Sequence, residues 1–403
     1  MKLKLTVVSP VHIGSQMGDR SQTLVPKHEF IYRQNRCYVI DQDKLIEALQ
    51  NKGLIDSFLC SVDKIKSESE RFSFNLDSFL NDYFSKGLSD NEICDFLNSI
   101  SAYSTLCPYP DVAKTKQYRP FIRDAYARPY IPGTAIKGAI RTAVLFCFVK
   151  ERLEDKEFKE GLVKKVEDTL KKERLSVKKK KQIIGEFLTP EVFQDFRLGG
   201  MEKEAHTDLL RALEIQDVEP LDKDSLEVKE VKIINRTGLK KWNYLGGFSI
   251  YPECLLPVSF EVKIRFKMEI LEDFPKEGLK DFLLSKVSTE SDLEERLIEV
   301  LIALCDQWAR WQINSEQNFY GKLQGVDEIK RFYQTKNPNL RLGWGGGMLG
   351  KTIFDLLPHD LKKEVAGLFY QNFPGFPKTR RVIVEVEKGQ PSSPLGWVRL
   401  DLI

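Results

Sequence analysis

The sequence predicts an α+β fold, and three observations lead there. Strand-like segments stand at both ends of the chain, "KLKLTVV" and "GWVRLDLI". Strand, helix and strand-hairpin patterns recur in both halves. No long run of alternating strand and crossover helix builds a parallel array. This arrangement fits two split-βαβ, ferredoxin-like units. The strand pattern puts the seam between residues 225 and 260, with domains 1–255 and 256–403 and helical insertions near 53–105 and 151–200 in the first.

The first strand alternates charged and apolar residues and breaks into "SPVHIGSQMGDRSQTLVP", a loop rich in Ser, Gly and Gln. A hairpin, "FIYRQNRCYVI", turns near Asn35, and Asp41 caps the amphipathic "QDKLIEALQNK". A polar helical stretch then runs to about residue 105. Three prolines keep "QYRPFIRDAYARPYIPG" extended. It leads into the helix "GTAIKGAIRTAVLFCFVK", with Thr134 as its N-cap and Ile136, Ile140, Val144 and Leu145 near one face. Residues 150 to 182 read as a solvated amphipathic helix with Glu–Lys pairs at helical spacing, the alternative being a docking arm for RNA or a partner. Strands return through "LRALEIQDVEPL" and "LEVKEVKIINRT", and alternation is clearest from Val258 to Phe266. Of the next two helices, "DLEERLIEVLIALCDQWARWQ" carries apolar residues all round and should be buried. A glycine loop, a helix near "HDLKKEVAGLFYQNF" and the strands "RVIVEVE" and "GWVRLDLI" close the order.

With 403 residues, 42% of them hydrophobic, the chain can bury two ordinary cores. No apolar run approaches the roughly 18 residues of a membrane helix, and the N-terminus reads as a strand, so a cytoplasmic protein without a membrane partner is expected. Its seven cysteines are scattered, with no C-x-x-C pair, which argues against a disulfide framework or a zinc ribbon. A net charge of +3 is too small to nominate a nucleic-acid binder by itself.

"RLGWGGGMLGKT" places Gly345, Gly350, Lys351 and Thr352 at the spacing of a phosphate-binding P-loop. That motif needs a buried strand before the glycines and a helix N-terminus after them. Here Pro338, Arg341 and Gly343 interrupt the strand, and the 51 residues after Thr352 cannot hold repeated units of roughly 30 residues each. An ATPase is not expected, and neither a cofactor nor a small-molecule substrate is indicated.

Lys137 and Arg141 lie four apart near the positive end of a helix dipole, where two cations repel one another and an anion such as a phosphodiester would relieve the conflict. Arg380 and Arg381 form another compact basic pair. Three landmarks in order, "LTVVSPVHIGS", "YIPGTAIKGAIRTAVL" and "LRLGWGGGMLGKT", resemble the RAMP superfamily of CRISPR proteins, within it the end-capping subunits of type III-A (Csm) effector complexes. The resemblance spans nearly the whole chain. It implies two RAMP, or RRM-like, modules and the glycine-rich loop 343–350 lying close to an RNA backbone. The implied role is non-catalytic: holding the crRNA 3′ region beside the backbone RAMP subunits, with support of crRNA maturation through host nucleases.

The candidate RNA-binding residues are His12, Gly14, Ser15, Gln16, Lys137, Arg141, Trp344, Gly345, Gly346, Gly347, Lys351, Arg380 and Arg381. Glycines let main-chain N–H groups approach phosphates, lysine and arginine add charge, and Trp344 offers a stacking face. The four histidines, at 12, 28, 206 and 359, form no H-x-x-x-H or H-x-E metal pattern, and no Ser-His-Asp or Cys-His arrangement is present. The alternative function is a metal-independent crRNA-processing endoribonuclease with His12 as acid–base and Lys137 beside it. Asp19, in the first loop, is weighed as a cleavage aspartate against a simple turn residue.

Overall fold

The computed structural model describes residues 1–15, 24–63, 75–83, 88–115, 117–172, 176, 179–180, 192–194, 207–218, 221–288, 291–367 and 377–403. In chain order, β1 (Lys2–Val7), β2 (Val25–Pro26), β3 (Phe30–Arg33) and β4 (Arg36–Ile40) precede α1 (Gln42–Asn51). Then come α2 (Ile55–Asp63), α3 (Leu76–Tyr83), α4 (Asp90–Ser99), β5 (Ser101–Leu106) and β6 (Gln117–Tyr118). The middle of the chain forms α5 (Gly133–Arg152), α6 (Lys156–Lys171), β7 (Leu213–Ile215), β8 (Leu226–Val228), β9 (Val231–Arg236) and β10 (Trp242–Tyr244). After β11 (Glu253–Leu255) and β12 (Ser259–Phe266) stand α7 (Met268–Glu272), α8 (Gly278–Leu284), α9 (Leu293–Tyr320) and α10 (Asp327–Thr335). Last are β13 (Leu340–Arg341), α11 (His359–Gly367), β14 (Thr379–Val384), β15 (Pro391–Ser393) and β16 (Trp397–Leu402).

The first strand shows why its sequence alternates. Leu3, Leu5 and Val7 are buried while Lys2 and Lys4 face solvent. β1 pairs antiparallel with β12 on one side and β16 on the other, giving the sheet order β13-β16-β1-β12-β7. α5 and α9 pack on each other and against this sheet. The shared core includes Leu5, Ile140, Val144, Leu301, Trp308 and Trp397. Trp308 and Trp397 stand 6.0 Å apart between ring centroids, and the Trp397 indole N–H donates to the Tyr333 hydroxyl at 3.2 Å. α9 buries a wide stripe rather than its whole circumference, since Gln307, Arg310 and Trp311 are exposed.

Two further sheets have the orders β10-β9-β14-β15 and β11-β8-β5-β4-β3. Strands from both sides of residue 255 share the first two sheets: β1 and β7 with β12, β13 and β16, and β9 and β10 with β14 and β15. Helices α1, α3 and α4 cover the third sheet through Leu45, Leu49, Phe79, Leu80, Ile93 and Leu97. This is the α+β architecture the strand pattern predicted.

Local details agree and differ in instructive ways. The hairpin turns at Gln34 and Asn35, both left-handed (φ 44° and 55°), as a two-residue turn between twisted strands requires. Asp41 caps α1 by accepting from the backbone N–H groups of Asp43 and Lys44. The polar helical stretch stops short of residue 105, because residues 101–106 form β5, paired with β4. Thr134 is not the cap of α5. The helix begins at Gly133, whose N–H donates to the Asp217 carboxylate at 2.6 Å, so a distant acid replaces the local hydroxyl.

Candidate RNA interface

The glycine-rich loop is positioned by the end of β1. After Val7 the chain makes one bridge from Val11 to Leu255 and another from His12 to Trp344. The Trp344 N–H donates to the His12 carbonyl at 2.8 Å, and the Leu342 N–H to the Gly396 carbonyl at 2.7 Å. Gly343 is left-handed at φ +68°, and a Cβ there would lie 2.1 Å from the His12 carbonyl oxygen. The two loops can meet this closely only with glycine at that position.

Beneath them lies a buried carboxylate. Glu253 accepts from the Thr105 hydroxyl (2.6 Å), the Tyr118 hydroxyl (3.0 Å), the Phe121 N–H (2.7 Å) and the Arg123 guanidinium (2.5 Å). Its backbone carbonyl sits 2.7 Å from Nδ1 of His12. A carbonyl only accepts, so Nδ1 carries the proton. His12 is fully buried, between Phe121 and Trp344. Burial pushes its pKa down to about 4, with Arg119 adding to the shift and Glu253 opposing it. His12 is therefore a neutral structural ring and does not face the surface.

Trp344 is the centre of a cationic array. The Arg119 guanidinium lies 4.7 Å from its ring centroid and that of Arg381 lies 4.9 Å away. Desolvation lowers the Arg119 pKa, and the Arg381 charge lowers it further. The indole expected to receive a base thus serves as a platform for two arginines. Lys351 follows on the same loop, its pKa lowered by desolvation and by Arg381 and Arg341. Gly345, Gly346 and Gly347 line a cleft of about 230 Å³ together with Arg380 and Arg381.

The adjacent arginines diverge, because successive strand residues point to opposite faces. Arg380 turns inward and its Nε lies 2.9 and 2.8 Å from the two Glu316 carboxylate oxygens. Arg341 stands 3.9 Å from the same buried carboxylate. Arg380 is thus a structural ion pair, while Arg381 faces Trp344.

Lys137 and Arg141 fall elsewhere. The Lys137 ammonium donates to the Leu213 carbonyl at 2.8 Å, and Arg141 pairs with Asp208 at 2.6 Å above the Phe193 ring. Burial lowers the Lys137 pKa, with Arg141 adding to the effect against Asp208. Asp208 thereby relieves part of the repulsion that suggested a phosphate. Lys137 lines a cleft of about 800 Å³ with Lys2, Arg211, Lys263 and Arg265, which shares no lining residue with the glycine-loop cleft. Gly14 and Ser15 are half-buried at the end of the β1 loop, and Gln16 and Asp19 lie outside the described residues.

The P-loop spelling has no P-loop geometry. Residues 347–353 form turns and bends, Thr352 donates its hydroxyl to the Met348 carbonyl, and the first helical residues afterwards are the 3₁₀ turn Phe354–Leu356. No helix N-terminus stands behind the glycines to receive a phosphate. Sequence reasoning missed Arg119 and Glu253, which reach the site through pairing around β11 rather than through any local motif. Among the described residues, no group of three or more His, Cys, Asp or Glu is placed to hold a metal ion. No described helix is long and apolar enough to cross a membrane.

Largely antiparallel sheets covered by paired helices, with a glycine-rich loop laced to the first strand, define a RAMP-type fold. The family model of the RAMP superfamily matches residues 4–343, and the chain belongs to that superfamily. Among its relatives is the CRISPR system Cms protein Csm5 of Streptococcus thermophilus, 29% identical over 144 residues, covering 36% of this chain and 37% of that protein. The match thus spans little more than a third of that relative's length. The protein of the same name from Methanocaldococcus jannaschii is 22% identical over 432 aligned positions, covering 100% of this chain and 89% of the relative. A chain of a Csm–crRNA–target RNA ternary complex of a type III-A CRISPR-Cas system superposes with a TM-score of 0.68 at 23% identity, covering 99% of this chain and 100% of that one.

Proposed function

We propose that this protein is a non-catalytic, RNA-binding subunit of a type III-A Csm effector complex. It would cap the crRNA 3′ region beside the backbone RAMP subunits and support crRNA maturation and antiviral defence. The observation that carries this reading is the Arg119–Trp344–Arg381 array beside Gly345–Gly347. Two guanidiniums flanking one indole, next to a glycine loop in which Gly347 borders open space, suit a phosphodiester backbone and read no sequence. The names of the relatives and the RNA-containing complex support the same assignment. Recruitment of host nucleases belongs to this proposal as well. So does the division into 1–255 and 256–403, in a form in which the modules exchange strands.

The burial of His12 speaks against the endoribonuclease alternative. A general base must reach a substrate proton, and this ring is enclosed, with its Nδ1 committed to the Glu253 carbonyl. The test is fluorescence anisotropy of a labelled single-stranded RNA with the full chain at several salt concentrations, with ATP as competitor. Binding that weakens with a log–log slope of about −0.7 per neutralised phosphate, and ignores ATP, supports the proposal. Displacement by ATP, or cleavage of the RNA that disappears in His12→Ala, overturns it.

A further inference from the structure

Arg119 belongs to two places at once. Its guanidinium flanks Trp344, and it also lines a separate cleft of about 730 Å³. On the other side of the indole, Arg381 lines the glycine-loop cleft. The Arg119–Trp344–Arg381 array therefore stands between the two clefts with one arginine lining each, and a strand passing from the glycine loop across the array would reach the second.

The second cleft is shaped for more than charge. Phe248 lines it and is 56% exposed, although a phenylalanine gains most when covered. The backbone holds it there: Gly246 is left-handed at φ +81°, and a Cβ on it would lie 2.5 Å from the Phe248 ring. Tyr244 lies beside it, with the Lys232 ammonium 5.2 Å from its ring, and its hydroxyl donates to the Gly389 carbonyl. The two carboxylates of the lining are engaged, Asp111 by Lys114 at 2.6 Å and Glu230 by Lys232 at 3.1 Å and by the Ser249 hydroxyl. Three cations face those two acids in the lining, so the cleft carries net positive charge.

We infer that this cleft is a second nucleotide subsite, in which a base of the bound single-stranded RNA stacks on Phe248 while Arg119 and Lys232 hold its phosphate. An exposed aromatic ring in a positively charged groove is the combination that sequence-tolerant single-strand binding uses. The inference rests on the RNA-binding reading above and extends it by naming where the strand goes after the glycine loop.

The experiment compares the full chain with Phe248→Ala, Phe248→Tyr and Arg381→Ala in anisotropy titrations. The probes are two labelled oligouridylates, of about 4 and about 16 nucleotides, spanning the usual range of single-strand sites. Phe248→Ala should weaken the long probe roughly 5- to 100-fold and leave the short one unchanged, and Phe248→Tyr should restore the long probe. Arg381→Ala should weaken both. If Phe248→Ala is silent on the long probe while Arg381→Ala weakens it, the subsite is overturned and the RNA-binding reading stands. Equal loss on both probes also overturns the subsite, because Phe248 would then act on the fold. No binding of either probe by the unaltered chain overturns both.

Discussion

Replacing His12 by asparagine tests the core of the site, because that histidine is buried neutral. Asparagine keeps an N–H for the Glu253 carbonyl and cannot take up a proton between pH 8 and pH 5. In the folded chain the imidazole pKa is about 4, against 6.5 for an exposed histidine. The unfolded chain therefore binds the proton first, and acid favours unfolding. The stability from keeping the ring neutral is complete above pH 6.5 and is lost as the pH falls towards 4. Linkage over that interval removes about 2 kcal/mol between pH 8 and pH 5, and about 3 kcal/mol once the pH is below both values. The assay is urea unfolding followed by tryptophan fluorescence at pH 8, 6.5 and 5, with the two chains compared at each pH. The unaltered chain should lose about 2 kcal/mol more than His12→Asn by pH 5. Equal losses in both would refute the buried neutral histidine, and would reopen His12 as a group able to exchange protons with a substrate.

Arg380→Ala leaves Glu316 buried with only the more distant Arg341, and should cost about 3 kcal/mol or more, read as a lower unfolding midpoint in urea. Its effect on RNA affinity, measured where the chain is folded, should be smaller than that of Arg381→Ala. Gly343→Ala forces a left-handed backbone and a clash with the His12 carbonyl, and should cost about 2 kcal/mol or more by the same unfolding assay. Lys137→Ala combined with Arg141→Ala should weaken all RNA sequences by a similar factor in filter binding, because phosphate contacts position without specifying. Loss confined to one sequence would place those residues on base edges instead.

The fold was legible wherever a short period or a turn residue set local geometry. Lys2 to Val7 alternates because one face is buried, and Gln34-Asn35 marks its hairpin because that turn needs left-handed residues. What stayed hidden was set by distance along the chain. Asp217 caps a helix 84 residues away, and Glu253 collects its donors from Thr105, Tyr118, Phe121 and Arg123. The site was legible in part. The glycine loop and Trp344 were visible as a motif, whereas their junction with Arg381 comes from the structure alone. The RR pair read as one cationic feature, yet strand alternation divides it into a buried partner of Glu316 and a neighbour of Trp344. Arg119 carried no signal beyond its place before Pro120, which fixes the backbone as extended but says nothing of what the side chain meets.

The pairing of β1 with β16 has a consequence for synthesis. The two strands are neighbours in one sheet, yet Val7 and Trp397 are separated by almost the whole chain. At roughly 5 to 20 residues per second, β1 waits on the order of twenty to eighty seconds after leaving the ribosome before its neighbour exists. Through that interval Leu3, Leu5 and Val7 have only part of their eventual cover. The loop bearing Trp344 is likewise held by Gly396 and by the strand that follows it. Until β16 is made, the loop bearing Trp344 therefore lacks the strand that holds it, and the glycine-loop cleft is completed late in synthesis.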